Sequence, residues 1–228
     1  MSIATSALEV KERIARAARR AGRDPEEITI VAVTKGVDVG RIREAIAAGL
    51  SICGESRIQE AMPKLSVLHQ AASWHFIGHL QRNKVKYIAG EVDLIHSVDN
   101  IDLCEEISLR AQKRGIIQNI LLEVNISGEE EKFGIVPSEA ADRVKNIVRI
   151  KGISLKGMMA IPPFSEDPEH SRPYFSRLRE LRNEIISLGI CPPDFRELSM
   201  GMSNDFEIGI EEGATLVRIG TAIFGPRG

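Results

Sequence analysis

Eight short, β-branched apolar runs alternate with longer segments of helical periodicity along this chain. The runs lie at 29–35, 51–55, 73–78, 92–98, 119–126, 155–161, 195–200 and 214–220. Short apolar runs bounded by turn residues are typical of buried strands, and the segments between them have helix signals such as Asp38 at a start and Gly49 past an end. Strands that alternate with helices form a parallel sheet covered on both faces.

Eight such units favour closure of the sheet into a (β/α)8 barrel, a TIM barrel, which typically takes ~250 residues. The chain has 228 residues, so we expect one domain over 1–228, with an additional N-terminal helix at about 5–22. The rival is an open, doubly wound sheet, which usually has a glycine-rich fingerprint after its first strand. Here the first strand ends in Thr-Lys-Gly-Val-Asp, and that fingerprint is missing.

Charge and cysteine content exclude several classes of protein. The net charge is −2, from 30 basic and 32 acidic residues, and the basic stretch from Lys11 to Arg23 fits a solvated helix face better than a nucleic-acid surface. The three cysteines are far apart, which predicts no disulfide framework and a reducing compartment. Without an apolar leader or a run of ~20 apolar residues, we expect a cytoplasmic protein with no membrane or nucleic-acid partner.

Active sites of such barrels lie at the carboxyl ends of the strands, which directs attention to the residues that close each run. These are Lys35, Glu55, His79, Ser97, Asn125, Met159, Ser199 and Arg218. Lys35 follows Ile-Val-Ala-Val, and a partly desolvated lysine there is suited to forming an imine with an aldehyde. The alternative is a lysine whose charged end extends to solvent at the barrel rim.

Two stretches of small residues follow the last two strands. The first contains Ser199, Gly201 and Ser203, and the second contains Gly220 and Thr221. Barrels of this kind often bind phosphate with the loops after strands seven and eight, where glycines let backbone N–H groups approach the oxygens. Ordinary turns and helix caps need the same residue types, but two such stretches at both positions favour a phosphate ligand.

Two further features concern Arg218 and a pair of histidines. Arg218 lies between apolar residues of strand eight, so it either points into the barrel mouth or lies beneath an outer helix. If a ligand with a pyridine ring binds at the mouth, the positive charge of Arg218 beside the ring nitrogen would keep that nitrogen unprotonated.

His75 and His79 would make a metal-ligand pair on a helix. Their surroundings predict a strand instead, and no third ligand is near, so we expect no metal.

Several motifs together resemble the family of pyridoxal phosphate homeostasis proteins, nearly from end to end. They are AVTK around Lys35, GESRIQEA (54–61), WHFIGHLQRNK (74–84), VNISGEEEKFG (124–134), KGMMAI (156–161), LSMGMSNDF (198–206) and VRIGTAIFG (217–225). The resemblance implies a monomeric barrel like the N-terminal domain of alanine racemase, the fold-type III class of pyridoxal phosphate proteins.

The resemblance also assigns roles to residues. Lys35 would form the internal imine with pyridoxal 5′-phosphate, and Arg218 would face the pyridine nitrogen. The phosphate would be held by Ser199, Gly201, Ser203, Gly220 and Thr221. The family often reads Gly-Glu-Asn where this chain has Ser56 in third place; that asparagine can contact the cofactor ring, and the serine side chain is shorter.

Three functions remain to be compared. The first is a carrier or buffer of pyridoxal phosphate without dedicated amino-acid catalysis, whose recipients would be apo forms of pyridoxal phosphate enzymes. The second is an amino-acid racemase, but a related barrel takes its second base, a tyrosine, from an additional domain that we expect to be absent, since the chain ends at Gly228 soon after strand eight. The third is a phosphosugar enzyme with Glu55 and His79 as an acid/base pair. We expect the carrier.

Overall fold

The computed structural model describes residues 2–226, in which eight parallel strands close into a barrel in chain order. The strands are β1 Thr29–Val33, β2 Ile52–Glu55, β3 Ser73–Phe76, β4 Leu94–Val98, β5 Gln118–Glu123, β6 Ile153–Met159, β7 Glu197–Met202 and β8 Leu216–Ile219. The helices are α1 Ile3–Arg20, α2 Val39–Ala47, α3 Ile58–Leu68, α4 Ile101–Lys113, α5 Ala140–Ile147, α6 Arg172–Ser187, α7 Phe206–Glu211 and α8 Thr221–Phe224. The predicted (β/α)8 barrel is confirmed.

Side-chain caps mark the starts of α1, α2 and α4. The Asp38 carboxylate accepts a hydrogen bond from the backbone N–H of Arg41 at the start of α2, and Asn100 does the same for Leu103 in α4. The first helix ends at Arg20, earlier than predicted, because the glycine at 22 has a φ of +67°. The four-residue helix α8 was not predicted, since one turn has too few residues to show a period.

The two faces of the barrel wall differ in composition. Residues that face outward, such as Ala32 and Cys53, belong to a large apolar core between strands and helices. Inside the barrel a smaller apolar cluster contains Val31, Leu94, Leu121, Met159 and Leu216. Alternation along β1 therefore turns Val31 and Val33 inward.

No helix among residues 2–226 is both long and apolar enough to cross a bilayer.

A bulge separates the upper part of β7 from β8. Ser199 pairs with Leu216, whereas Met202 pairs with Arg218, so β7 contains one more residue than β8 over this stretch. Gly201 lies in the bulge with a φ of +91°, and a Cβ atom there would lie 2.8 Å from the Cα of Phe206. The bulge therefore requires glycine at this position and directs the chain towards the turn at 202–205.

Candidate functional site

Lys35 and the turn after β8 line one cavity at the carboxyl end of the barrel. The cavity has a volume of about 190 Å³, and its wall includes Lys35, Gly36, Arg41, Gly220 and Thr221. Lys35 continues the inward alternation of Val31 and Val33, which is why a half-buried lysine points to this end of the barrel. The structure thus brings the predicted imine-forming amine to one of the two predicted phosphate turns.

An adjoining cavity of about 250 Å³ shares Val33, Gly220 and Thr221 with the first. Its wall also contains Ser203 and Arg218. The turns after β7 and β8 therefore meet beside Lys35, as the sequence predicted from their positions.

The geometry of these two turns fits an anion. The backbone N–H groups of Gly220 and Ala222 both point at one oxygen, the hydroxyl of Ser203, at 3.2 and 3.3 Å. A phosphate oxygen at that position would accept the same two hydrogen bonds, with the serine hydroxyl beside it as a further donor. The residues present thus fit the phosphate group that the sequence predicted here.

Arg218 points into the barrel and is 4% exposed. Its guanidinium donates to the carbonyl oxygen of Ser199 at 2.7 Å and to the carbonyl oxygen of Ala160 at 3.0 Å. Burial lowers the pKa of Arg218 to about 10, although the negative charges of Glu123 and Asp205 oppose that shift. The side chain is therefore a fixed positive charge at neutral pH in the wall of the second cavity.

Ser199 bonds groups inside the barrel. Its side chain is fully buried inside the barrel, where the hydroxyl accepts from Arg218 at 2.5 Å and contacts Nδ1 of His96 at 2.8 Å. Nε2 of His96 lies 3.0 Å from Nδ1 of His75, so a polar chain crosses the barrel from β8 to β3. Ser199 therefore holds Arg218, and it is not among the residues that line the two cavities.

The two histidines inside the barrel, His75 and His96, are neutral at pH 7. Burial lowers the pKa of His75 to about 4. Burial, and then the nearby charges of His75 and Arg218, lower the pKa of His96 well below its ordinary value. A neutral imidazole donates through one ring nitrogen and accepts through the other, so the hydrogen bonds can run continuously from Arg218 to His75. These bonds connect Arg218 to three other strands.

Glu123 is an inward-facing carboxyl group that the sequence reasoning missed. It ends β5, is 7% exposed, and its Oε2 atom is buried with no hydrogen-bond partner in the described part of the chain. Burial, reinforced by the charge of Asp99, raises the pKa of Glu123 to about 7, and the positive charge of Arg218 opposes this shift. Alternation from Leu121 was the signal that could have identified it.

Glu55 and His79 do not form the acid/base pair considered for a phosphosugar enzyme. Glu55 follows Cys53 on the outward face of β2, and its Oε1 contacts Nζ of Lys64 on α3 at 2.5 Å. The ring of His79 stacks on Phe133, with ring centroids 3.6 Å apart. In the part of the chain that the structure describes, no group of three His, Cys, Asp or Glu side chains could hold a metal ion.

Two other strand-end candidates serve the loops. The Asn125 side chain donates to the carbonyl oxygen of Glu129 at 2.7 Å and accepts from the N–H of Gly128 at 3.1 Å, so it shapes the loop after β5. Ser97 donates to the carbonyl oxygen of Gly78 at 2.5 Å.

Arg41 lines the cavity with Lys35. The sequence analysis did not single it out, because an arginine on a helix gives no sign that it faces a ligand site.

The fold and site define a class of protein first. The family described as "Alanine racemase, N-terminal domain" matches residues 6–228, and the closed barrel with a lysine at the end of its first strand agrees with it. This class comprises barrels that resemble the first domain of alanine racemase.

Closer relatives identify the family within that class. A pyridoxal phosphate homeostasis protein of Aquifex aeolicus is 46% identical over 220 residues, which cover 96% of this chain and 95% of the relative. The chain therefore belongs to the family of pyridoxal phosphate homeostasis proteins.

Two solved structures are also similar. A protein of Bifidobacterium adolescentis described as unknown has 42% sequence identity and a TM-score of 0.92, over 97% of this chain and 94% of the other. PipY of Synechococcus elongatus PCC7942, solved with pyridoxal phosphate bound, has 30% identity and a TM-score of 0.81, over 95% of this chain and all of PipY.

Proposed function

We propose that this protein binds pyridoxal 5′-phosphate at the carboxyl end of its barrel and holds it as a Schiff base on Lys35, so that it carries and buffers the cofactor in pyridoxal phosphate homeostasis. The observation that carries the proposal is the cavity that Lys35 shares with Gly220 and Thr221. The relatives named pyridoxal phosphate homeostasis proteins and the pyridoxal phosphate bound to PipY support the choice of ligand.

The phosphate group would be held by backbone N–H groups and hydroxyls. Gly220, Ala222 and Ser203 already converge on one point, Thr221 lines both cavities, and Gly201 is required by the bulge that forms the β7 turn. Neutral donors of this kind bind a phosphate dianion without a large desolvation cost on the protein side.

The ring would lie near the fixed charge of Arg218. When bound, pyridoxal phosphate supplies an aldehyde that condenses reversibly with an amine, and a protonated ring nitrogen that can accept electrons from a carbanion. Because Arg218 is positively charged at neutral pH, it disfavours protonation of a nearby ring nitrogen. The site therefore retains the aldehyde chemistry and weakens the electron sink, which favours a carrier over an amino-acid racemase.

The proposal includes partners and a location. Apo forms of pyridoxal phosphate enzymes would receive the cofactor, and the protein would act as a monomer in the cytoplasm. The wide spacing of the three cysteines supports a reducing compartment; Cys53 and Cys104 are free thiols buried in the fold. Sedimentation of the purified protein with and without cofactor would test the monomer.

Borohydride reduction tests the central proposal. Purified protein mixed with pyridoxal phosphate should develop the visible absorbance of a Schiff base, and borohydride should remove the colour and leave the cofactor on the peptide that contains Lys35. Attachment to another lysine, or no uptake of pyridoxal phosphate, would contradict the proposal. Steady racemisation of any amino acid by the pure protein would favour the enzyme instead.

A further inference from the structure

The turn that carries Lys35 is held from outside the barrel by side chains of α3. Nζ of Lys64 donates to the carbonyl oxygen of Thr34 at 2.8 Å. The N–H of Gly36 donates to Oε2 of Glu60 at 2.6 Å. Charged side chains on one helix thus bond the residues immediately before and after Lys35.

Glu55 joins these contacts into a cluster. Its Oε1 accepts from Lys64 at 2.5 Å and from the hydroxyl of Thr34 at 2.6 Å, and the residue is 1% exposed. A buried ion pair gains little stability over apolar side chains of similar volume, because both charges lose their hydration. Stability alone is therefore a weak reason for a lysine and a carboxylate in the apolar layer between β2 and α3.

The conformation of the turn gives the cluster a further use. Gly36 has a φ of +72°, which only glycine adopts without strain, and its N–H is the group that Glu60 holds. Lys35 is flanked by one bonded carbonyl and one bonded N–H, so rotation of either neighbouring peptide unit breaks a charge-assisted hydrogen bond. The direction in which the Lys35 side chain leaves the backbone is thereby fixed.

Lys64 itself is poorly suited to bind an aldehyde. Besides Thr34 and Glu55, its Nζ lies 3.6 Å from Oε2 of Glu60, so its donors face three acceptors on the outward side of the wall. Lys35 lines the cavity instead. The two lysines therefore have different roles: Lys35 faces the cavity, and Lys64 bonds the backbone of the turn.

We propose that Lys64, Glu55 and Glu60 are positioning residues that fix the backbone on both sides of Lys35 and so set how readily its amine forms the Schiff base. The inference rests on the proposed function, since it concerns the same amine. It predicts that damage to the cluster weakens the covalent step and leaves the phosphate turns after β7 and β8 intact, because the cluster does not bond either turn. Misplacement of a reacting group by ~1 Å can reduce a rate by about 10²-fold.

The test separates covalent from non-covalent binding. Pyridoxal phosphate, trapped with borohydride over a range of concentrations, measures Schiff-base formation. Pyridoxine 5′-phosphate, which has the same phosphate and ring but no aldehyde, measures binding to the rest of the site by calorimetry. In Lys64→Met and Glu60→Ala we expect trapping to weaken by about tenfold, while binding of pyridoxine 5′-phosphate stays within about twofold of wild type.

Two controls accompany these variants. Lys64→Arg keeps a cation that can bond Thr34 and Glu55, so it should restore much of the trapping that Lys64→Met loses. Lys113→Met removes an exposed lysine on α4 and should change neither measurement. If Lys64→Met does not fold, Glu60→Ala decides the question, since Glu60 is partly exposed.

The outcomes distinguish the inference from the function on which it rests. Wild-type trapping in both Lys64→Met and Glu60→Ala would overturn the positioning role alone. An equal loss for both ligands would also overturn it, because it would mean general damage to the site. Failure of the wild-type protein to form any trapped product would overturn the proposed function.

Discussion

The outer face of the barrel wall is mainly apolar and packs against the helices, whereas the inner face of the same strands also contains hydrogen-bonded polar side chains. The outer face contacts the helices through a continuous apolar core that includes Trp74, Phe76 and Leu198. The inner face contains a few apolar side chains and a polar chain from His75 to Arg218. Burial of apolar area stabilises the fold without needing a particular direction, whereas hydrogen-bonded groups are stable only in particular geometries.

This difference indicates where substitutions should act. Replacing an outer residue should lower the free energy of unfolding and leave ligand binding largely intact in the folded molecules. Replacing an inner residue should change ligand binding or the pH dependence of folding stability. Glu55 is the exception, because it faces outward and yet belongs to the polar cluster that holds the Lys35 turn.

The largest expected effect is at Lys35, just after the carboxyl end of β1. In Lys35→Ala, borohydride should trap no pyridoxal phosphate on the turn at 34–36, because the proposed amine is gone. Binding of pyridoxine 5′-phosphate should persist, since the N–H groups of Gly220 and Ala222 are untouched. Peptide mapping after reduction is the measurement, and a trapped product as abundant as in wild type would place the attachment on another residue.

A matched pair of leucines tests the outer face. Leu178 is fully buried on α6, whereas Leu188, the residue that follows this helix, is 59% exposed. Leu178→Ala should lower the free energy of unfolding by about 2–5 kcal/mol, and Leu188→Ala by less than about 0.5 kcal/mol. Urea denaturation measures both, and trapping on Lys35 under native conditions should match wild type in each. Equal destabilisation of the two variants would contradict the picture of the outer core.

Glu123 should make stability depend on pH. Its pKa is raised from 4.5 to about 7 in the folded protein, so the folded state retains a proton that the unfolded state loses. The stabilising contribution is complete below pH 4.5 and is lost as the pH rises through about 7, by up to about 3 kcal/mol. Relative to Glu123→Gln, the wild type should therefore lose stability between pH 5 and pH 8.

The difference between these two proteins isolates Glu123. His75 has the opposite sign, because its pKa is lowered from 6.5 to about 4 and its contribution is lost as the pH falls through that range. That contribution is common to wild type and Glu123→Gln and cancels when their unfolding curves are subtracted. Glu105→Gln, at an exposed position of α4, is the control. A difference that stays constant from pH 5 to pH 8 would contradict the assignment.

Sequence periodicity predicted the order and number of strands because each strand is a short apolar run between turn residues. It also placed Lys35, Ser203, Gly220 and Thr221 at the same end of the barrel, since the ends of parallel strands share one edge. The order of the strands alone places these residues together, so this prediction requires no knowledge of side-chain contacts. Most strand ends differ from the predicted ones by one to three residues, as for β6, which begins at Ile153 instead of 155.

Direction around a strand end was harder to predict. Glu55 and Lys35 both close predicted strands, yet alternation turns the first to α3 and the second to the cavity. Ser199 was grouped with Ser203, but the bulge at Gly201 changes the register between them. Contacts such as that between Lys64 and Thr34 depend on how a helix lies over two strands, which a single sequence does not specify.

The smallest expected effect concerns Ser56, where the family often has asparagine. Its hydroxyl is buried without a hydrogen-bond partner among residues 2–226. Ser56→Asn adds a longer side chain with both a donor and an acceptor, which should reach a ligand ring that the serine does not. We expect pyridoxine 5′-phosphate to bind more tightly by up to about 1 kcal/mol, the net value of one hydrogen bond. Ser51→Asn, at the exposed position just before β2, is the control and should leave the affinity unchanged. Weaker binding in Ser56→Asn would contradict the prediction, because it would mean that the site has no room for the longer side chain.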